Sequence, residues 1–292
     1  MPSLRPGDQL SGFRIEEFVE SGATSEVYRA VAVETGSSVA IKLLHPAWGS
    51  VATIRSRFEN EGRTLLGLRH PNIVRVLAVG EAPSSQPFLT LEWIPNDLRK
   101  HLQSSGGSIA ESAVLRLAGQ VADALCTLHS GGLIHRDLKP ANILLTSHHL
   151  PEAEAKLADL GLAKHVPAAL VGPTDAPLLN RVSTARGTRL GTWEYMAPEL
   201  WIDAKNASSK SDVYGLGCLL FHLLTGKPLY TVSDEHSLMF HHLFEPPPLE
   251  RLDSCTSSAL LSLIASMLAK KVDSRPSMAE VQRELTAIGV PS

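Results

Sequence analysis

Between the apolar pairs Leu133-Ile134 and Ile143-Leu144 the chain holds His135, Arg136, Asp137, Lys139 and Asn142. The flanks read as buried strand, which leaves two readings for the polar groups. They form a solvated hairpin, the usual fate of a lone charge cluster, or they are packed together because one reaction uses them together. A second pair upstream bears on that choice. In the strand-like run 39–44, alternation puts Lys42 on one face with Ala40 and Leu44, and Val39, Ile41 and Leu43 on the other. Over 51–68, Ile54, Phe58, Glu61, Leu65 and Leu68 recur at helical spacing, so Glu61 falls on the apolar stripe. A carboxylate there is costly unless paired, and the nearest upstream cation facing inward is Lys42.

The elements that must position these residues fall into two kinds. Residues 12–44 alternate β-branched and aromatic with polar side chains, with turns at Gly22 and around Glu34 to Gly36, and read as short strands. From about residue 98 the pattern turns helical. Val114, Leu117, Val121, Leu125 and Leu128 mark one amphipathic helix, and 213–224 is apolar nearly all round, hence a buried one. Further helices are expected over 235–244, 256–269 and 277–288, the last with Pro276 as its opener. Residues 165–187, with three prolines and no period, read as a long irregular loop. No internal repeat is evident.

Composition narrows the class. The 292 residues are 43% hydrophobic and 20% charged, ordinary for a globular protein. A formal net charge of −3 gives no electrostatic reason for a nucleic-acid partner. Cys126, Cys218 and Cys255 lie far apart in apolar stretches, which fits reduced core thiols and a cytoplasmic location. The most apolar run, Cys218 to Leu224, is far too short to span a bilayer, so no membrane partner is expected for this chain.

Taken in order, the motifs resemble those of the protein kinase family over roughly residues 13–288. They are a degenerate glycine-rich loop at 20–28, VAIK at 39–42, the inward Glu61, HRDLKPAN at 135–142, DLG at 159–161 and APE at 197–199. Asp212 in SDVYGLG and Arg275 in SRP match later family positions. The resemblance implies an α+β, bilobal protein-kinase-like fold: a five-stranded antiparallel N-lobe sheet with one helix, then a mainly helical C-lobe. It implies one catalytic domain over 1–292, with an N-lobe of about 10–91, a hinge at 92–97 and a C-lobe at 98–288.

It also implies ATP- and Mg²⁺-dependent phosphoryl transfer to Ser or Thr hydroxyls of protein substrates. By resemblance, Lys42 reaches the α- and β-phosphates while Glu61 holds it, Asn142 and Asp159 supply the metal oxygens, and Asp137 orients the substrate hydroxyl. Lys139 sits near the transferred group, the Ser/Thr-type feature. Val27, Ala40 and Leu144 sandwich the adenine beside Gly22 of the loop, Leu91 is the gatekeeper, the backbones of Glu92 and Ile94 hold the adenine edge, and Asp97 meets the ribose. Glu199 pairs with Arg275, Asp212 binds the catalytic-loop backbone, and Thr192 ties the substrate-binding loop to Asp137 and Lys139.

Departures from the family pattern qualify the nucleotide site. Glu20 and Ser25 stand where two loop glycines are usual, and glycine is what allows close approach to phosphate. Leu160 replaces the usual Phe, and the segment from Asp159 to Glu199 is longer than the family norm. That segment holds Ser183, Thr184 and Thr188 beside several arginines. Phosphorylation there, read by Arg57, Arg136 and Lys164, is expected to order it. Two alternatives stand beside an active kinase: a pseudokinase scaffold, suggested by the eroded loop, and a small-molecule phosphotransferase. A homodimer for trans-autophosphorylation is compatible with the sequence.

Overall fold

The computed structural model describes residues 2–22, 24–49, 51–104, 107–159, 193–252 and 256–289. Leu160, Lys164, Ser183, Thr184, Thr188, Thr192, the 165–187 loop and Cys255 lie outside the described residues. The chain forms two units, one holding the described residues up to Ile94 and the other those from Pro95 onward.

The first unit is built on an antiparallel sheet of β1 (Gln9–Leu10), β2 (Phe13–Ser21), β3 (Ser25–Ala32), β4 (Ser38–Leu44), β5 (Val76–Glu81) and β6 (Pro87–Glu92). Its order is β1-β2-β3-β4-β6-β5. The five expected strands are thus joined at one edge by a sixth of two residues, too short to leave a periodic signal. Period-two alternation sorts β4 as the sequence required. Val39, Ile41 and Leu43 join Leu10, Ile15, Tyr28, Ala30 and Phe88 in one cluster, and Leu44 joins Trp48, Ile54, Phe58 and Leu89 in another. The second cluster is covered by the short α1 (Pro46–Gly49) and by α2 (Ala52–Leu66).

Gly62 sets how closely α2 approaches the sheet. A Cβ added there would stand 2.2 Å from Leu89 Cδ2, so a side chain would have to displace Leu89 or lift the helix off β6.

The second unit holds a small sheet of β7 (Asn96–Asp97), β8 (Ile143–Leu145) and β9 (Ala155–Leu157), in the order β7-β8-β9. Around it lie the helices α3 (Leu98–Ser104), α4 (Glu111–Ser130), α5 (Pro198–Ile202), α6 (Ser209–Thr225), α7 (Glu235–Phe244), α8 (Ser258–Met267) and α9 (Met278–Gly289). Helix α6 is buried along most of its length, as an all-round apolar helix must be. Among the described residues no helix is long and apolar enough to cross a membrane.

Candidate active site

In the first unit the pairing required of Glu61 is present. Lys42 Nζ lies 3.4 Å from Glu61 Oε1, with the side chains 10% and 2% exposed. Strand β4 aims Lys42 at the α2 side, and the ammonium also lies 5.8 Å from the Phe58 ring centroid. Burial of this kind is tolerated only because the partner supplies charge and a hydrogen bond together. Ala40 is buried, Val27 and Leu91 are half-buried, and Gly22 is exposed. The Gly22 N–H donates to the Ser25 carbonyl at 2.8 Å, closing the turn between β2 and β3.

In the second unit the loop between α4 and β8 gathers the other set. Asp137 is buried, and its Oδ2 lies 3.1 Å from Lys139 Nζ. Asn142 Nδ2 donates to the same oxygen at 2.7 Å and to the Asp137 carbonyl at 2.8 Å. Both amide hydrogens of Asn142 are therefore spent on Asp137, which leaves Oδ1 as the atom that could hold a metal. Asp159 follows β9 with a φ of 60°. This left-handed backbone is uncommon for a residue other than glycine, and the same conformation recurs at Arg136, one residue before Asp137.

The loop is held from beneath. Asp212, near the start of α6, accepts the His135 N–H at 2.9 Å, the Arg136 N–H at 2.8 Å and a hydrogen bond with His129 Nε2 at 2.7 Å. His135 is fully buried, and burial holds its imidazole below the usual pKa despite the pull of Asp212. Its Nδ1 accepts the Asp137 N–H at 3.3 Å, so Nε2 carries the proton and donates to the Ala158 carbonyl at 3.0 Å. One neutral ring thus ties Asp137 to the residue before Asp159. Sequence reasoning missed His129 altogether and gave His135 no hydrogen-bonding role; the only local hint was a histidine in the last turn of α4.

The remaining nucleotide-site candidates are placed as follows. Leu144 is half-buried in β8 and pairs in register with Asp97 of β7. The Asp97 carboxylate accepts the Lys100 N–H at 2.8 Å, capping α3, and pairs with Lys100 Nζ at 3.5 Å. The Glu92 N–H donates to the Arg75 carbonyl at 3.0 Å, and Ile94 is half-buried. Trp193 packs its ring edge-on to Trp201 at 5.5 Å.

The Glu199–Arg275 pair is bidentate, with both contacts at 2.8 Å, and Ser211 Oγ donates to Glu199 Oε1 at 2.7 Å. Arg275 also donates to the carbonyls of Ala269, Lys210 and Lys270. All five of its N–H groups are thereby used.

The family model for the protein kinase domain matches residues 13–285. The chain belongs to the protein kinase family. Among its relatives, the DNA damage-responsive serine/threonine-protein kinase RqkA of Deinococcus radiodurans is 33% identical over 98% of this chain and 41% of its own length. The serine/threonine-protein kinase PkaA of Streptomyces coelicolor is 35% identical over 95% of this chain and 50% of its own. The chain thus spans half or less of the length of these protein kinases. The Mycobacterium tuberculosis PknI kinase domain superposes with a TM-score of 0.71 at 25% identity, covering 98% of this chain and 99% of that one.

Magnesium is the metal this kinase family implies, and the donor set suits it. Asn142 Oδ1 and the Asp159 carboxylate are hard oxygens, the type Mg²⁺ prefers, and one or two protein oxygens completed by phosphates is its usual pattern.

Proposed function

We propose that this chain is the catalytic domain of an ATP- and Mg²⁺-dependent protein kinase that phosphorylates Ser and Thr hydroxyls of protein substrates. One observation carries the reading: a single carboxylate oxygen, Asp137 Oδ2, lies within hydrogen-bonding distance of both Lys139 Nζ and Asn142 Nδ2. A purely structural carboxylate would gain little from a loop that must also bury an ammonium beside it. In this reading Asp137 orients the attacking hydroxyl and accepts its proton late, and Lys139 steadies the negative charge of the group in transit. Lys42, held by Glu61, binds the α- and β-phosphates. Asn142 Oδ1 and Asp159 hold Mg²⁺, which when bound neutralises charge on the phosphate oxygens.

Val27, Ala40 and Leu144 enclose the adenine in this reading, with Leu91 as gatekeeper. The Glu92 N–H is engaged by Arg75, so its carbonyl, with the Ile94 backbone, takes the adenine edge. Asp97 Oδ1 caps α3, so Asp97 reaches the ribose with Oδ2, whose α3 contact is the exposed Lys100 ammonium. Phosphorylation of Thr188, Thr184 or Ser183 regulates the domain; Arg136, whose buried Nε has no hydrogen-bond partner among the described residues, is one cation that reads the phosphate.

The pseudokinase alternative rests on the eroded glycine loop alone, while Lys42, Glu61, Asp137, Asn142 and Asp159 are all present. Incubation with Mg²⁺ and labelled ATP should give autophosphorylation or transfer to a basic protein by the parent chain. Asp137→Asn and Lys42→Met should lose it. Tight nucleotide binding without transfer by the parent would refute the catalytic reading.

A further inference from the structure

Glu26 is an acidic residue that the proposed chemistry does not use, yet it is 2% exposed. A buried carboxylate must find donors, and here they include a segment more than twenty residues away. Glu26 Oε2 accepts the Ser3 N–H at 3.0 Å and the Tyr28 hydroxyl at 2.6 Å. The Tyr28 hydroxyl in turn accepts the Leu4 N–H at 3.1 Å. His45 Nε2 lies 4.0 Å from Glu26 Oε1, and the His45 backbone N–H donates to the Thr24 carbonyl at 2.8 Å.

The first residues of the chain are thus laid along the outer face of the sheet. Leu4 packs against the cluster of Leu10, Ile15 and Tyr28. The Gly7 N–H donates to the Ile15 carbonyl at 2.9 Å, and a turn between Arg5 and Asp8 closes the segment. On β3, Glu26 and Tyr28 share one face, and Val27 between them points to the other. Val27 is the β3 residue assigned to the adenine, and the turn from Gly22 to Ser25 immediately precedes it.

We propose that residues 2–8 form a strap that binds no ligand itself but braces the 20–28 hairpin from behind, with Glu26 and Tyr28 as positioning residues that raise nucleotide affinity. The inference rests on the kinase reading for the identity of the nucleotide. Such bracing compensates for a hairpin that has kept one glycine of the family's three: the strap restricts the strand from the face opposite the nucleotide.

The test uses the full chain with any tag at its C-terminus and compares the parent with Ser3→Pro, Tyr28→Phe and Glu26→Gln. Ser3→Pro removes one backbone donor and touches no side chain of the sheet, so it keeps the test open if a strand variant fails to fold. Hydrogen exchange over 2–8 and 20–31 reports release of the strap, and fluorescent mant-ADP with Mg²⁺ reports affinity. Faster exchange in both segments is expected. With it, the mant-ADP Kd and the KM for ATP should rise about fivefold, the equivalent of one net hydrogen bond, with kcat nearly unchanged. Unchanged exchange, or an unchanged Kd despite faster exchange, would overturn the strap. A parent that binds mant-ADP but transfers no phosphoryl group would overturn the catalytic reading instead, leaving the binding comparison intact.

Discussion

Asn142 shows how one side chain can serve two partners. Its Nδ2 faces Asp137 at 2.7 Å, and its oxygen is the atom proposed for the metal. Asn142→Asp keeps the oxygen but replaces the donor with a second carboxylate against Asp137. Two carboxylates so close cannot both ionise easily, and the pair's upper pKa rises. We expect kcat to fall roughly a hundredfold, the scale of a lost charge-assisted hydrogen bond plus a like-charge contact, and the acid limb of the pH–rate profile to move to higher pH. A profile with an unshifted acid limb would contradict the assigned contact. Lys42 and Glu61 were legible as a pair because each lies on a face set by local periodicity. Glu26 was not, since an acidic residue in an alternating strand ordinarily faces water, and its backbone donor Ser3 is remote in sequence.

At the scale of elements, two buried acid anchors organise the second unit. Asp212 joins α6 to the loop that precedes Asp137, and Glu199 with Arg275 joins α5, the start of α6 and the segment after α8. Burial opposes the charge on Glu199, but the Arg275 guanidinium and Ser211 hydroxyl outweigh it and hold its carboxyl below the ordinary range. Removing one partner of such a pair leaves an uncompensated charge. Arg275→Met should therefore destabilise the domain by about 3–5 kcal/mol, read as a lower midpoint in urea. The joint variant Glu199→Leu/Arg275→Met should recover part of that loss, since two apolar groups leave no orphan charge. The long helices were legible from their apolar stripes. The short α1, α3 and α5 were not, because four to seven residues carry too little periodicity to separate from a turn.

For the whole molecule, buried histidines dictate the response to acid. Burial, with Arg251 nearby, lowers His222 to about 4; burial, with Lys270 and His241 nearby, lowers His242 to about 3. Both rings titrate near 6.5 in the unfolded chain, so between that value and their folded values the unfolded state binds more protons. Stability is then full above about pH 6.5 and falls as the pH drops toward 4. The melting temperature should begin to fall near pH 6.5, before the carboxylate range, and His242→Gln should flatten that slope; a flat curve down to pH 5 in the parent would contradict it. The amino-acid sequence by itself determined which reactive groups the chain carries, their order, and the faces that β4 and α2 turn inward, because those follow from periods of two and 3.6 residues. Only the tertiary structure decided which donors meet which buried acids: His129 on Asp212, Ser211 on Glu199, the chain's first residues on Glu26. A buried charge must be satisfied by whatever lies nearest in space, and that neighbour has no fixed distance along the chain.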